Sequence, residues 1–563
     1  IKLSAEAQVA LGTEAKSATP AELMRIILQA PVDLLWNGGI GTYVKASHQG
    51  HDAARDRAND MLRVDGRDVR ARVVGEGGNL GFTQAGRIEY ARRGGPTGAG
   101  GRINTDAIDN SGGVHSSDRE VNLKIPLNQL MKEEGLSRED RDRLLVAMTD
   151  DIARFVLRDN YVQSAAISLV EAQAAARVDE HAALIRRLER EGLLDRALEG
   201  LPDDEELQER RSEGIGLTRP EIAVLVAYAK ISLKRTALSS DLSDDPSFVR
   251  DLLANFPPAM VEQHRVALTK HRLRREIIAT ILANAVVNRM GASFAHRLAD
   301  DHGVPHDEVL AAYAASHELF GGDRYWAELE ALDGRIPSRL QYRLMEHAAA
   351  LLKHATGWII GARLYPASTV GEIVARYLAA VPQVEAWIPA ILPPSYREDF
   401  DRHLAGLRKD NVPEDVAVRI VRTKALGCAL DLADLAELGK VTLAESAEVY
   451  FQVGERLRMP WLHGAIVGLR VSGHWQALAR SRLRDDAYRL HGLIAASALV
   501  QSMSPAAERL GEWLKRHERR VVFSLGRLQE LQTTGAADYA SLAVAVRELH
   551  DLHVLQSVPA PKP

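Results

Sequence analysis

Val73-Val74-Gly75-Glu76-Gly77-Gly78-Asn79-Leu80-Gly81 and Asp106-Ala107-Ile108-Asp109-Asn110-Ser111-Gly112-Gly113-Val114-His115-Ser116-Ser117-Asp118 are the stretches that decide the fold. Each glycine–asparagine loop follows a short β-like run, Arg70-Ala71-Arg72-Val73-Val74 and Gly101-Arg102-Ile103-Asn104-Thr105-Asp106. Between them lies a helix-like stretch, Gln84 to Arg93. Strand, loop, helix, strand, loop is the βαβ plan of a sheet with crossover helices. Ligands of such sheets bind outside the carboxyl ends of the strands, where both loops fall. Glycine permits close backbone approach and positive φ. The asparagine amide offers a donor and an acceptor, which suits a carboxamide or a ribose hydroxyl.

Working outward, glycine is concentrated in the first quarter of the chain. Beyond about Pro126 the texture changes to long Ala/Leu/Arg/Glu stretches with helical spacing. Ser137 is an N-cap candidate with Asp140 three residues on. It predicts a helix whose Leu144, Met148, Ile152, Phe155 and Val156 share a face. Thr218-Arg219-Pro220-Glu221 has the pattern of a capping box, and Ser504-Pro505 opens a further helix with Leu510, Trp513 and Leu514. Breaks are expected near Gly192, Leu201-Pro202, Gly214, Phe256-Pro257-Pro258, Gly321-Gly322 and Leu392-Pro393-Pro394. The tail 557–563 is expected to be disordered. No fixed-period repeat marks a solenoid.

The chain carries 71 Lys+Arg against 76 Asp+Glu, a formal net charge of -5, which argues against a dedicated nucleic-acid binder. Its single cysteine, Cys428, excludes an intrachain disulfide and any CxxC metal site, and fits a reducing cytosol. The neighbours of Cys428 predict a buried, inert thiol. Apolar runs such as Ala223-Val224-Leu225-Val226-Ala227 are too short to span a bilayer, so no membrane partner is expected. Glu346-His347 and Asp179-Glu180-His181 lack a second ligand at metal spacing and read as surface, so no metal is expected. Lys515-Arg516-His517-Glu518-Arg519-Arg520 reads as a solvated helix face. His115 beside Ser116, Ser117 and Asp118 invites a hydrolase triad, but no Gly-x-Ser-x-Gly elbow accompanies it. Gly75-x-Gly77-x-x-x-Gly81 imitates a dinucleotide fingerprint with the wrong spacing. Arg92 to Arg102 is a Gly/Pro-rich stretch that reads as a surface loop at the sheet end opposite the ligand.

The order Gly77-Gly78-Asn79, then Asn110-Ser111-Gly112-Gly113-Val114 and a serine, resembles the closing half of the coenzyme domain of glutamate dehydrogenases. Upstream, Ala30-Pro31-Val32-Asp33-Leu34-Leu35-Trp36-Asn37-Gly38-Gly39-Ile40-Gly41-Thr42-Tyr43-Val44 resembles the large multidomain bacterial NAD-dependent members rather than the short hexameric ones. So does Asp106-Ala107-Ile108-Asp109-Asn110. The specific motifs cover roughly the first quarter of the chain. The resemblance implies an α/β plus all-α fold: the C-terminal half of a Rossmann-like coenzyme domain over residues 1–125, then a large helical domain over 126–563, open to division into two sub-bundles.

The same resemblance implies reversible oxidative deamination of L-glutamate to 2-oxoglutarate and ammonia, with NAD as cofactor, in a cytoplasmic homo-oligomer. It places the Asn110 amide against the nicotinamide end; the alternative is that Asn110 only closes a turn. Gly77, Gly78 and Asn79 face the nicotinamide ribose, or form a structural turn. Asn37 and Gly38, after a strand expected from Val32 to Leu35, form a third coenzyme-side loop, or a turn offering backbone alone. Gly112 and Gly113 complete the cofactor-binding set. On the substrate side Ser117 binds the glutamate side-chain carboxylate, or caps a helix beginning near Asp118; Ser116 competes for either task. Val114 floors the pocket, or packs in the core. In the family the phosphate-binding loop, the catalytic lysine and the catalytic aspartate lie upstream of such a segment. The chain, which begins Ile1-Lys2-Leu3-Ser4, is therefore expected to be a C-terminal portion with no catalytic acid–base residue and no activity alone. Two other readings stand beside this: a dehydrogenase for an aliphatic amino acid, and a non-catalytic helical interaction module.

Overall fold

The computed structural model describes residues 1–471, 473–502, 504–535 and 537–554, so the expected disordered tail at 557–563 lies outside the described residues. The chain is predominantly helical and divides into two compact units, Ile1–Arg297 and Leu298 onward.

In the first unit, β1 (Leu34–Asn37) pairs in parallel with β4 (Val73–Glu76), Leu34 opposite Val73 and Asn37 opposite Glu76. A second parallel pair joins β2 (Val44–Lys45) to β3 (Val64–Asp65). Val44, Val64, Val69, Ala71, Val74, Phe82, Tyr90 and Ile103 form the core between these pairs and the helix Gln84–Arg93. Strand alternation places Leu35 and Val74 on that core. It leaves Leu34, Trp36 and Val73 on the opposite face, 56%, 58% and 40% exposed.

The helix Gln84–Arg93 forms where the sequence placed it. The Thr83 hydroxyl accepts from the Gly86 amide at its start. Its inward face carries Arg87, Glu89 and Tyr90, so it is held by polar contacts as much as by apolar area. The Tyr90 hydroxyl donates to the Ala71 carbonyl at 2.8 Å. Gly94 and Gly101 lie so close to the Tyr90 ring that a Cβ at either would overlap it.

Several expected boundaries shift. The strand expected at 70–74 runs from Val73 to Glu76, and that expected at 32–35 runs from Leu34 to Asn37. The run Gly101–Asp106 yields only a bridge, Val73 to Arg102, with bonds from the Val74 amide to the Arg102 carbonyl and from the Arg102 amide to the Arg72 carbonyl. Beyond Ile103 the chain turns into polar contacts, and Asp106 already begins the helix Asp106–Asp109. The helix opened by Ser137 spans Arg138–Ala147, and a second, Thr149–Ala172, follows after Met148. His181 is not on the surface. It is 2% exposed in the helix Val178–Arg190, on the stripe that also carries Val178, Ala182 and Ile185. Burial pushes its imidazole down to about 4.

The Thr218–Glu221 capping box opens the helix Arg219–Ser239 as read. Helices end before Gly192 and Gly214, both at positive φ, and new ones start at Pro258, Gly322 and Pro394. The second unit is all helix among the described residues. The helix Ala429–Gly439 packs against Leu443–Arg456 and His474–Val500, and Tyr539–Val554 also packs on His474–Val500. Cys428 is buried and burial raises its thiol well above the usual range, as expected of an inert sulfur. No single helix among the described residues is long and apolar enough to cross a membrane.

Tyr90→Phe keeps the ring but removes the donor to Ala71. A buried carbonyl left without its partner costs about 1 to 3 kcal/mol. Amide hydrogen exchange should therefore rise across residues 69–103 before it rises elsewhere in the first unit. An unchanged pattern would show that ring packing alone holds this layer.

Candidate ligand site at the strand ends

The loops after β1 and β4 and the turn at Asn110 meet at the carboxyl ends of the parallel strands. The Gly78 amide donates to the Asn37 carbonyl at 2.9 Å. A Cβ at Gly78 would overlap the Gly39 carbonyl, and one at Gly81 would overlap the Asn37 side chain. Gly75 and Gly77 lie under the Trp36 indole with the same consequence. Asn110 Nδ2 donates to Asn79 Oδ1 at 2.7 Å, and both side chains sit toward solvent. Asn110 ends the helix Asp106–Asp109 and opens Ser111–Glu133, yet its side chain caps neither. Thus Asn37, Gly77, Gly78, Asn79 and Asn110 come together.

In front of this group the backbone is open. Nothing lies within 4 Å of a Cβ built on Gly39, and only Asn110 Oδ1, at 3.8 Å, approaches one on Gly113. Gly38 is exposed beside them, against Trp36. Gly112 instead faces inward, 3.6 Å from Val156. Val114 is 69% exposed, which removes its core-packing alternative. Ser117 is exposed in the second turn of Ser111–Glu133, so it is not the N-cap of a helix starting at Asp118. Ser116 Oγ donates to the Gly112 carbonyl at 2.7 Å, which leaves Ser117 as the outward hydroxyl.

A charged network below holds the loops. Arg87 Nε donates to Glu76 Oε2 at 2.7 Å, and Arg87 reaches Asp106 at 3.0 Å. Asp106 accepts from the Leu80 amide at 2.8 Å, and Asp109 from the Glu76 amide at 3.0 Å. Burial pushes the Asp109 carboxyl above its usual range, against the bond from Asn104. Arg219, from the capping box, donates to Asn104 at 2.9 Å and to Glu171 at 2.7 Å. Sequence reading missed these residues as a unit. The one local signal was the spacing of Asp106 and Asp109, which places both carboxylates on one side of a turn.

Behind Ser111–Glu133, His115 Nδ1 lies 3.8 Å from Asp159, and Arg119 is 2.9 Å from the same carboxylate. With Ser116 bonded to Gly112, no serine–histidine couple forms. Lys230 donates to Gln163 at 3.2 Å, and burial pushes its ammonium down to about 8. Among the described residues no group of three His, Cys, Asp or Glu side chains is arranged to hold a metal ion.

Comparison with known proteins identifies relatives of the chain. A family model described as "Bacterial NAD-glutamate dehydrogenase, catalytic domain" matches residues 1–170. One described as "Glutamate dehydrogenase, C-terminal" matches residues 214–551. The chain is 40% identical over 554 residues to the NAD-specific glutamate dehydrogenase of Pseudomonas aeruginosa, covering 98% of this chain and 34% of that protein. It is 38% identical to the one from Halomonas elongata and 36% to the one from Mycobacterium tuberculosis, with the same coverage. The chain thus spans about a third of the length of these curated relatives.

Lys230 gives the region a pH signature. Its ammonium titrates near 10.5 unperturbed and near 8 in the fold. Between those values the unfolded chain binds more protons, so Lys230 makes stability rise as pH climbs from about 8 to about 10.5. Lys230→Met should flatten the melting temperature against pH in that window relative to the parent chain. Parallel curves would mean that Lys230 is hydrated in solution.

Proposed function

This chain belongs to the glutamate dehydrogenase family of the bacterial NAD-dependent type, and from that membership we propose that it supplies the nicotinamide-side loops and part of the substrate pocket of such an enzyme. The reaction is the reversible oxidative deamination of L-glutamate to 2-oxoglutarate and ammonia. The observation that carries the proposal is the Asn79–Asn110 amide pair, set beside open glycines at the ends of parallel strands. Within the unit Ile1–Arg297, residues 1–125 make up the closing half of a Rossmann-like coenzyme lobe, and the helices from 126 on are helical additions to it. A cytosolic homo-oligomer is the setting this reading implies.

The open backbone at Gly39 and at Gly113 leaves room for a flat ring to approach closely. Asn110 and Asn79 hold the carboxamide and ribose side of NAD, and Gly77, Gly78, Asn37, Gly38, Gly112 and Gly113 shape the surface around them. When bound, NAD accepts a hydride from the substrate α-carbon at C4 of its nicotinamide. Ser117 donates its hydroxyl to the γ-carboxylate of glutamate, and Val114 supplies an apolar wall beside it. Asp106 and Asp109 are engaged by Leu80, Glu76, Arg87 and Asn104 and serve to hold the loops. This segment positions the reactants and leaves acid–base work to groups beyond these loops.

In a longer enzyme carrying this segment, Asn110→Ala should raise KM for NAD and lower kcat. A positioned hydrogen bond lost with its partner left buried is worth about 1 to 3 kcal/mol. Unchanged kinetics would reduce Asn110 to a brace for Asn79.

Ser117→Val in the same enzyme tests the substrate. A bond to a charged group contributes about 1.5 to 3 kcal/mol, so kcat/KM for glutamate should fall roughly tenfold to a hundredfold. Turnover of norvaline or leucine should fall less or rise, since an apolar wall then meets an apolar side chain. An unaltered glutamate-to-norvaline ratio would take Ser117 out of the substrate site and turn attention to Ser116.

A further inference from the structure

The second unit encloses a cavity of about 430 Å³, within the range of small-molecule sites. Four helices contribute to its walls, Phe294–His302 through Leu298 and His302. Ser338–Gly361 contributes His354, Gly357 and Trp358, Ala429–Gly439 contributes Asp431, and His474–Val500 contributes Tyr488 and Gly492. This cavity lies outside the strand-end loops and outside the reading given to them.

Asp431 is the carboxylate left for a ligand. Its described hydrogen bond comes from Trp358 Nε1 at 2.9 Å, on Oδ1. A carboxylate has about four acceptor positions, and one held away from water calls for further donors. The neighbouring acids are engaged otherwise. Asp434 accepts from Tyr377 and Arg376, Asp485 from Arg484, and Asp486 from Arg489. Burial pushes the Asp431 carboxyl up to about 7, in keeping with its thin supply of donors. Gly492 keeps the approach open: a Cβ there would lie 3.0 Å from Asp431 Oδ1.

The walls and the rim fix the rest of the ligand. Trp358, Tyr488 and His354 offer aromatic surface, and Leu435 and Leu493 add apolar area. Arg482 lines the cavity and is exposed, which places its charge at the rim. It precedes Gly492 on one continuous helix by ten residues, roughly 15 Å along the axis. An arginine side chain covers part of that span. The ligand must cover the rest, with N–H donors at one end and an anion at the other. An amino acid without a basic side chain carries its N–H donors and a carboxylate on one carbon and is too short, and a basic one has no flat ring system to cover the aromatic walls. A nucleotide separates base and phosphate by a ribose.

We infer that this cavity binds a purine nucleotide, with the N–H edge of the base on Asp431, the ring against the aromatic walls and the phosphate at Arg482. The test is calorimetric titration of the full chain with AMP, GMP, their nucleosides and inorganic phosphate. AMP or GMP should bind saturably, and the matching nucleoside about tenfold more weakly. Arg482→Ala should bring the nucleotide down to the nucleoside's affinity. Asp431→Asn, which keeps an acceptor for Trp358, should weaken binding by at least tenfold, and Ala496→Phe should abolish it by filling the cavity. Because Arg482 is exposed, its variant leaves the fold intact and the test open. Asn110→Ala should leave the affinity for AMP or GMP as it is. The inference is overturned if neither nucleotide binds at millimolar concentration, if phosphate alone accounts for the heat, or if binding survives the three cavity variants. It is also overturned if binding is lost with Asn110→Ala, which would move the nucleotide to the strand-end loops.

Discussion

The ion pair between Glu76 and Arg87 is the constraint on which the strand-end loops depend. Both side chains are almost wholly buried, and their bonds run at 2.7 and 3.0 Å. Removing two charges from water costs several kcal/mol per ion, so the pair persists only because its remaining valences are met. Glu76 also accepts from the Phe82 amide, and Arg87 reaches Gln84 and Asp106. One buried charge thereby ties the end of β4, the loop that follows it, the next helix and the turn that carries Asn110. Its value is geometric: breaking one side leaves an uncompensated charge, about 3 to 5 kcal/mol, and frees three segments together.

Much of this was legible in the sequence where the cause is local. Thr83 and Gly94 bracket a helix, Thr218 and Glu221 cap another, and glycines at positive φ end several more. The asparagines and glycines of the candidate site were legible by pattern, and all but the inward-facing Gly112 gather at or beside the strand ends. What failed were judgements that depend on distant partners. The run Gly101–Asp106 has strand-like residues, but Asn104 answers to Asp109 and Arg219, so pairing stops after one bridge. The helical texture reads as beginning beyond about Pro126, yet the helix Ser111–Glu133 already runs through it. His181 reads as surface for want of a second ligand at metal spacing, but helical phase turns it inward. Periodicity carries no information about an arginine more than a hundred residues away.

The helical unit shows another side of the same limit. Its buried histidines and tyrosines stack in pairs, Tyr450 with His491 at 3.8 Å and His463 with Tyr488 at 3.9 Å. Burial lowers both imidazoles, so these rings pack as neutral aromatics. Nothing in their spacing along the chain distinguishes them from surface histidines. Assembly of the helices brings them around Cys428, and only then does a cavity lined by their rings exist.

The glycines under Trp36 bear on how such a loop is inherited. Gly75, Gly77, Gly78 and Gly81 are each demanded by a neighbouring atom of the protein: the indole, the Gly39 carbonyl or the Asn37 amide. None of these demands involves a ligand. A descendant that had lost its coenzyme would still be obliged to keep these four residues while Trp36 and Asn37 remained. The glycines therefore testify to ancestry and backbone packing, and the asparagine pair is where retained chemistry would leave its mark.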